Sequence, residues 1–393
     1  MPVATKIQQF MENAFWIREM FEAGNRLREE VGADNVCDFS LGNPDLEPPP
    51  EFKAVIKELA ADPSPGKHGY MPNAGLPETR EAVAGYLSGE FGLNFTRDDI
   101  IITVGAGGGL NVALKTILNQ GDEVIVPSPY FVEYRFYADN HNGVLIPVDT
   151  NPDFTLNLDN IEAAVTDKTR AVLINSPNNP TGVVYPEDNI RDLSAMLKKI
   201  SERAGRPVFL ISDEPYRKLV YDGIEVPSVF AHYEHVLCIT SYSKDLSLAG
   251  ERIGFLAVHP EVARKELLIG GLILNNRILG YVNAPAFMQR AIARLQGHSV
   301  DIGIYQARRD IFVKGLREIG FDLTVPQGAF YLFPRSPLED DVAFTREMQK
   351  ENILTVPGTG FGKPGYFRLT FCVNEDVITK ALPGFKKVWD RIT

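Results

Sequence analysis

Between Ile100 and Val258 the chain repeats one pattern, a short apolar run followed by a helix-length stretch of mixed polarity. The runs read IITVG, EVIVPS, VLIPVD, AVLINSP, VFLISDE, VLCITS and GFLAV. Stretches such as Ala171 to Ile174 are apolar at consecutive positions, as a strand buried on both faces requires, and the segments between them can carry crossover helices. The pattern predicts an α/β fold in which a mostly parallel seven-stranded sheet is covered by helices.

Outside this block the periodicity changes. Ile7, Phe10, Met11 and Ala14 lie at helical spacing, and Pro48, Pro49 and Pro50 mark a turn at a boundary. After Pro260 long helices dominate, notably Asp301 to Ile319, with separated strands expected at Leu323 to Val325, Ala329 to Phe333 and Phe367 to Val373, then a final helix. A chain of 393 residues exceeds one ordinary core. The expected division is a large α/β domain over 46–285 and a smaller α+β domain built from 1–45 together with 286–393.

Acidic residues outnumber basic ones, 51 to 40, with no local basic cluster, so a nucleic-acid partner is not expected. Met1 to Arg18 has no apolar leader, and the longest apolar stretch, Leu267 to Leu274, is far short of a bilayer span. A cytoplasmic protein without membrane contact is the expectation. Cys37, Cys238 and Cys372 sit in separate apolar runs and read as reduced core thiols. His232, His235 and Cys238 have metal-like spacing but lead into the apolar run Val236 to Thr240, so no metal site is expected.

In sheets of this class ligands lie beyond the carboxyl ends of the strands, so the residues after each run carry the functional argument. The first run opens into Gly105, Ala106, Gly107, Gly108 and Gly109, followed by Leu110, Ala113, Leu114, Ile117 and Leu118 at helical spacing. A glycine turn at a helix N-terminus cradles phosphate through free amides and the helix dipole; tight packing alone is the other reading. A dinucleotide fingerprint fails, because its third glycine falls on Leu110. Later strand ends bring Ser176 to Gly182, Ser212 to Tyr216 and Ser241 to Asp245, with Arg252 eight residues beyond Lys244. Singly, Asn179 reads as a loop residue, Asp213 as a helix cap and Lys244 as a solvated lysine.

In this order and spacing, the motifs resemble those of the class I and II aminotransferases of the fold-type-I pyridoxal phosphate family. The resemblance runs from Leu41-Gly-Asn-Pro-Asp to Phe367-Arg-Leu-Thr-Phe. It implies pyridoxal 5′-phosphate carried by Lys244 as a Schiff base, with the same amine moving the proton between substrate Cα and cofactor C4′. Asp213 is implied to keep the ring nitrogen protonated, Tyr216 and Asn179 to bond the 3′-oxygen, and Tyr130 to stack on the ring, although both tyrosines could be core aromatics. Ala106, Gly107, Gly108, Ser241, Ser243 and Arg252 are the implied phosphate site. Tyr70 matches a residue that reaches the partner subunit's phosphate, which implies a homodimer. Arg368 is implied to grip the substrate α-carboxylate, with Asn179 and the Gly42 backbone beside it. The departure is Gly107, where the family usually carries a Ser or Thr hydroxyl.

The motifs leave the donor open. Aspartate paired with 2-oxoglutarate is the first expectation, with alanine or an aromatic amino acid as alternatives; Arg277 could bind a distal carboxylate or lie on a helix surface. A β-lyase on the same fold would keep Lys244, Asp213 and Arg368. A non-catalytic ligand sensor would need an added domain for which the segment before Leu41 leaves no room, and an oxidoreductase rests only on the failed glycine fingerprint.

Overall fold

The structure, a computed structural model, describes residues 2–13 and 24–393. In chain order its strands are β1 (Cys37–Asp38), β2 (Ile100–Thr103), β3 (Glu123–Ser128), β4 (Val144–Asp149), β5 (Thr169–Asn175), β6 (Phe209–Asp213), β7 (Val236–Ser241), β8 (Gly254–Val258), β9 (Tyr331–Leu332), β10 (Ile353–Leu354), β11 (Val356–Pro357) and β12 (Phe367–Thr370).

The seven apolar runs form one sheet in the order β2-β8-β7-β6-β5-β3-β4. Pairings from β4 through β7 are parallel, while β8 lies antiparallel between β7 and β2. The mostly parallel α/β fold read from the sequence is therefore the fold observed. The central strand β6 is buried throughout, and β5 everywhere except the partly exposed Arg170. The partly exposed β4 lies at the edge, where Pro147, which lacks an amide hydrogen, is tolerated.

The covering helices follow from their apolar spacing. Helix Gly105–Ile117 buries Leu110, Ala113, Leu114 and Ile117 against one face of the sheet. Helix Glu187–Ala204 buries Ile190, Leu193, Leu197 and Ile200 against the other and ends at Gly205, whose φ of 62° suits a residue without a side chain. Each such Leu or Ile contributes on the order of 2 kcal/mol of burial.

A separate apolar core joins Phe39 to Phe312, Phe321, Phe344, Phe367 and Phe385. Ring centroids are 4.9 Å apart for Phe39 and Phe312 and 4.7 Å for Phe344 and Phe367. Tyr216 and Tyr221, from the segment after β6, enter the same core and tie it to the large sheet. β9, β11 and β12 form a small antiparallel sheet, and β1 pairs in parallel with β10.

Several expectations need correction. No strand forms at Leu323 to Val325: Pro326 has no amide to donate, and the next two amides, of Gln327 and Gly328, both go to the Gly182 carbonyl. The strands expected over Ala329–Phe333 and Phe367–Val373 shorten to β9 and β12. The expected turn at Pro48 and Pro49 leads directly into a helix, Pro50–Ala61, with Pro50 at its first position, where a missing N–H is harmless. The helix expected from Asp301 runs Ile302–Ile319, with the Asp301 side chain accepting from the Gly303 amide as its cap. Ile7, Phe10 and Met11 lie on helix Thr5–Asn13, and Ala14 lies outside the described residues. Among the described residues no helix is long and apolar enough to cross a membrane.

Candidate active site

The carboxyl ends of β5, β6 and β7, the N-terminus of helix Gly105–Ile117 and the start of β12 converge on a cavity of about 500 Å³. Lys244 and Asp213, which the sequence places on different strand ends, line this one cavity together.

Asp213 ends β6 and is buried. Its Oδ2 accepts a hydrogen bond from the Tyr134 hydroxyl at 2.6 Å, and its Oδ1 is buried without a partner. Desolvation pushes its pKa up to about 7; the Tyr134 hydrogen bond opposes that rise and neighbouring Glu214 adds to it. Burial also holds Tyr134 in its protonated, donating form. From the end of β5, the Asn175 amide nitrogen donates to the Asp213 carbonyl at 2.7 Å, which fixes the strand end that aims the carboxylate. A buried acceptor with an open oxygen suits a cationic or N–H partner.

The Lys244 amine donates to the Gly42 carbonyl at 2.7 Å and lies 5.0 Å from the Phe330 ring centroid. Desolvation lowers its pKa to about 8; Cys372 opposes this shift, while Arg368 and Arg252 reinforce it. A buried amine with a depressed pKa is a candidate nucleophile and proton carrier.

At the glycine turn, Gly105 has φ 67°, and a Cβ there would lie 2.6 Å from Arg252 Nη2. The missing side chain therefore lets the guanidinium lie against the helix N-terminus. Arg252 itself has φ 50° and donates to the Ala249 carbonyl at 3.0 Å. Ala106, Gly107, Ser241 and Ser243 line the same cavity. Free amides, a positive helix end and a guanidinium make this an anion cradle.

Arg368, on β12, donates from Nη1 to Asn179 Oδ1 at 3.1 Å and from Nη2 to the Ser40 carbonyl at 2.7 Å; its Nε is buried without a partner. The Asn179 amide in turn donates to Asn175 Oδ1 at 2.7 Å. The Tyr216 and Tyr331 hydroxyls are 3.0 Å apart. A Cβ on Gly42 would fall 2.0 Å from the Tyr331 hydroxyl, so glycine is needed for the loop to pass this close.

Two residues expected at the site, Tyr130 and Gly108, do not line the cavity. Tyr130 has its amide bonded to the Phe361 carbonyl and its ring against Gly362, so Phe131 occupies the wall instead. Gly108 is buried one residue further into the helix, facing Val104. Tyr70, expected at the partner subunit's phosphate rather than in this cavity, is 96% exposed. Arg277, for which a helix surface was one of two open readings, is exposed on helix Lys265–Ile278. Conversely, the motifs do not reveal Tyr134, Tyr137, Asn175, Tyr331 or Glu133, whose Oε2 is buried without a partner. Asn175 alone left a trace, as the polar residue that ends an apolar run.

The family model for aminotransferases of class I and II matches residues 34–384. The chain is 31% identical to a probable aspartate aminotransferase of Methanocaldococcus jannaschii, over 95% of this chain and 96% of that protein. It is 32% identical to the aspartate/prephenate aminotransferase of Thermus thermophilus, over 92% of each. Among solved structures, it matches an aminotransferase from Eubacterium rectale with a TM-score of 0.96 at 39% identity, covering 100% of both chains. The Thermus thermophilus aspartate aminotransferase with maleate matches with a TM-score of 0.87 at 30% identity, covering 99% of this chain and 100% of that one.

Proposed function

This chain belongs to the class I and II aminotransferases, which are pyridoxal-phosphate-dependent transaminases, and we propose that its donor is an L-amino acid, aspartate first, and its acceptor a 2-oxo acid such as 2-oxoglutarate. The observation that carries the reading is the shared cavity of the Lys244 amine and the open Asp213 oxygen. The residues present fit the cofactor. Asp213 Oδ1 awaits a donor, the Gly105 turn accommodates an anion beside Arg252, and Lys244 offers an amine.

Bound there, pyridoxal phosphate supplies an electron sink for the carbanion formed at the substrate Cα. Asp213 holds a proton on the ring nitrogen, with Tyr134 keeping the carboxylate oriented. Lys244 would be the amine that holds the cofactor and, once the incoming substrate amine has displaced it, the free base that moves the proton between Cα and C4′. Burial favours the neutral form that this transfer needs. Arg368 takes the α-carboxylate bidentately beside Asn179 and Gly42, which selects the Cα bond that breaks. Tyr216 and Asn179 are assigned to the 3′-oxygen, Arg252, Ser241, Ser243 and the turn amides to the phosphate, and Phe131 to the ring face. The chain acts as a homodimer, with exposed Tyr70 reaching the partner's phosphate site.

The names of the similar enzymes support aspartate as donor. One observation favours a second reading. Burial raises the pKa of Glu133, a cavity residue, and its Oε2 lacks a partner, so it suits a donor side chain that gives a hydrogen bond better than it suits a second carboxylate. Screening amino donors against 2-oxoglutarate with the cofactor-loaded protein separates the two. Aspartate as the fastest donor supports the first; a glutamine, tyrosine or basic donor ahead of it supports the second. Absence of any 2-oxo acid product overturns both.

A further inference from the structure

We propose that the Tyr137 hydroxyl completes the phosphate site, donating to the cofactor phosphate in place of the hydroxyl that the glycine turn lacks. The inference rests on the reading of that turn as the phosphate cradle. From Gly105 to Gly109 no side chain offers a donor, so the turn itself can give only backbone amides.

Tyr137 stands where such a donor belongs. A Cβ built on Gly107 would lie 3.0 Å from the Tyr137 hydroxyl oxygen, so the phenol occupies the space that a short hydroxyl side chain at 107 would enter. Tyr137, Gly107 and Arg252 all line the cavity. Among the described residues the phenol has no hydrogen-bond partner, which leaves its proton available. Its pKa is raised, chiefly by burial and then by Glu133 and Asp213, with Arg252 opposing, so it remains a donor at neutral pH.

The helix Glu133–Asn140 explains the placement. Positions 134 and 137 are three residues apart and share a face, separated by about 4.5 Å along the axis. Tyr134 addresses Asp213, at the ring-nitrogen end of the site, and Tyr137 addresses Gly107, at the phosphate end. One helix face thus meets both ends of a single flat ligand. Position 107 and Tyr137 also compete for one space: a serine at 107 crowds the phenol, whereas a phenylalanine at 137 leaves room for it.

The test measures dissociation constants of pyridoxal phosphate and of pyridoxal, which lacks the phosphate, from the cofactor-free protein by visible absorbance. Tyr137→Phe is expected to weaken pyridoxal phosphate roughly tenfold, the effect of one hydrogen bond to a charged group, and to leave pyridoxal unchanged. Gly107→Ser is expected to restore most of the loss in the Tyr137→Phe background and to bring no gain in the wild type. Equal affinity of Tyr137→Phe and wild type for pyridoxal phosphate, or an equal loss for pyridoxal, overturns the proposal. Wild-type protein that takes up no cofactor overturns the functional reading with it.

Discussion

At Asp213 one oxygen is committed to Tyr134 and the other faces the cavity alone. If that open oxygen holds a proton on the cofactor ring, Asp213→Asn removes a charge-assisted bond of roughly 1.5 to 3 kcal/mol. Turnover is then expected to fall about tenfold to a hundredfold, with a smaller change in cofactor retention; unchanged turnover would refute the role. Lys244 permits a test by pH. An amine attacks a carbonyl only when neutral, and burial brings this one to about 8, down from 10.5. Cofactor uptake by the stripped protein, followed by stopped flow, should accelerate about tenfold per pH unit below 8 and level off above it. Acceleration that continues to 10.5 contradicts the depressed pKa. Lys244, Asp213 and Asn179 were legible in the sequence because each ends or follows a strand of the large sheet in a recognisable local motif, and Arg368 because Phe367-Arg-Leu-Thr-Phe is such a motif. Tyr134 and Tyr331 were not, since their partners, Asp213 and Tyr216, lie 79 and 115 residues away and are brought to them only by packing.

Among the elements, the strands of the large sheet were the most legible because burial on both faces demands consecutive apolar residues, a pattern that little else produces. The strands around the second core are two to four residues long and were missed or overextended, since a few residues carry almost no periodicity. Between β3 and the helix Glu133–Asn140, a short loop decides which ring enters the cavity; with no regular period there, Tyr130 and Phe131 could not be told apart. The turn after β2 yields its own prediction. Gly105→Ala places a side chain at a positive φ, at a cost of about 1 to 2 kcal/mol, and drives it against Arg252. Pyridoxal phosphate affinity is expected to drop at least tenfold by equilibrium titration, whereas wild-type affinity in that variant would show that Arg252 and the turn do not act together.

For the molecule as a whole, composition says little about which substrate is used. An excess of acidic charge argues against a nucleic-acid partner, while Glu133, the cavity residue on which the second donor reading rests, is named by no motif. The proposed homodimer sets the exposed Tyr70 ring at the partner subunit's phosphate site. Sedimentation should give a species of twice the 43.6 kDa chain mass, and Tyr70→Phe should leave that mass unchanged while weakening pyridoxal phosphate several-fold. A monomer that binds the cofactor as tightly as the family reading requires would remove Tyr70 from the site. The most direct test of the whole account is to load the protein with pyridoxal phosphate, reduce it with borohydride and map the modified peptide by mass spectrometry. The account predicts one reduced cofactor per chain, on Lys244, and neither label nor transamination in Lys244→Ala; a label on another lysine, or full turnover by that variant, would contradict it.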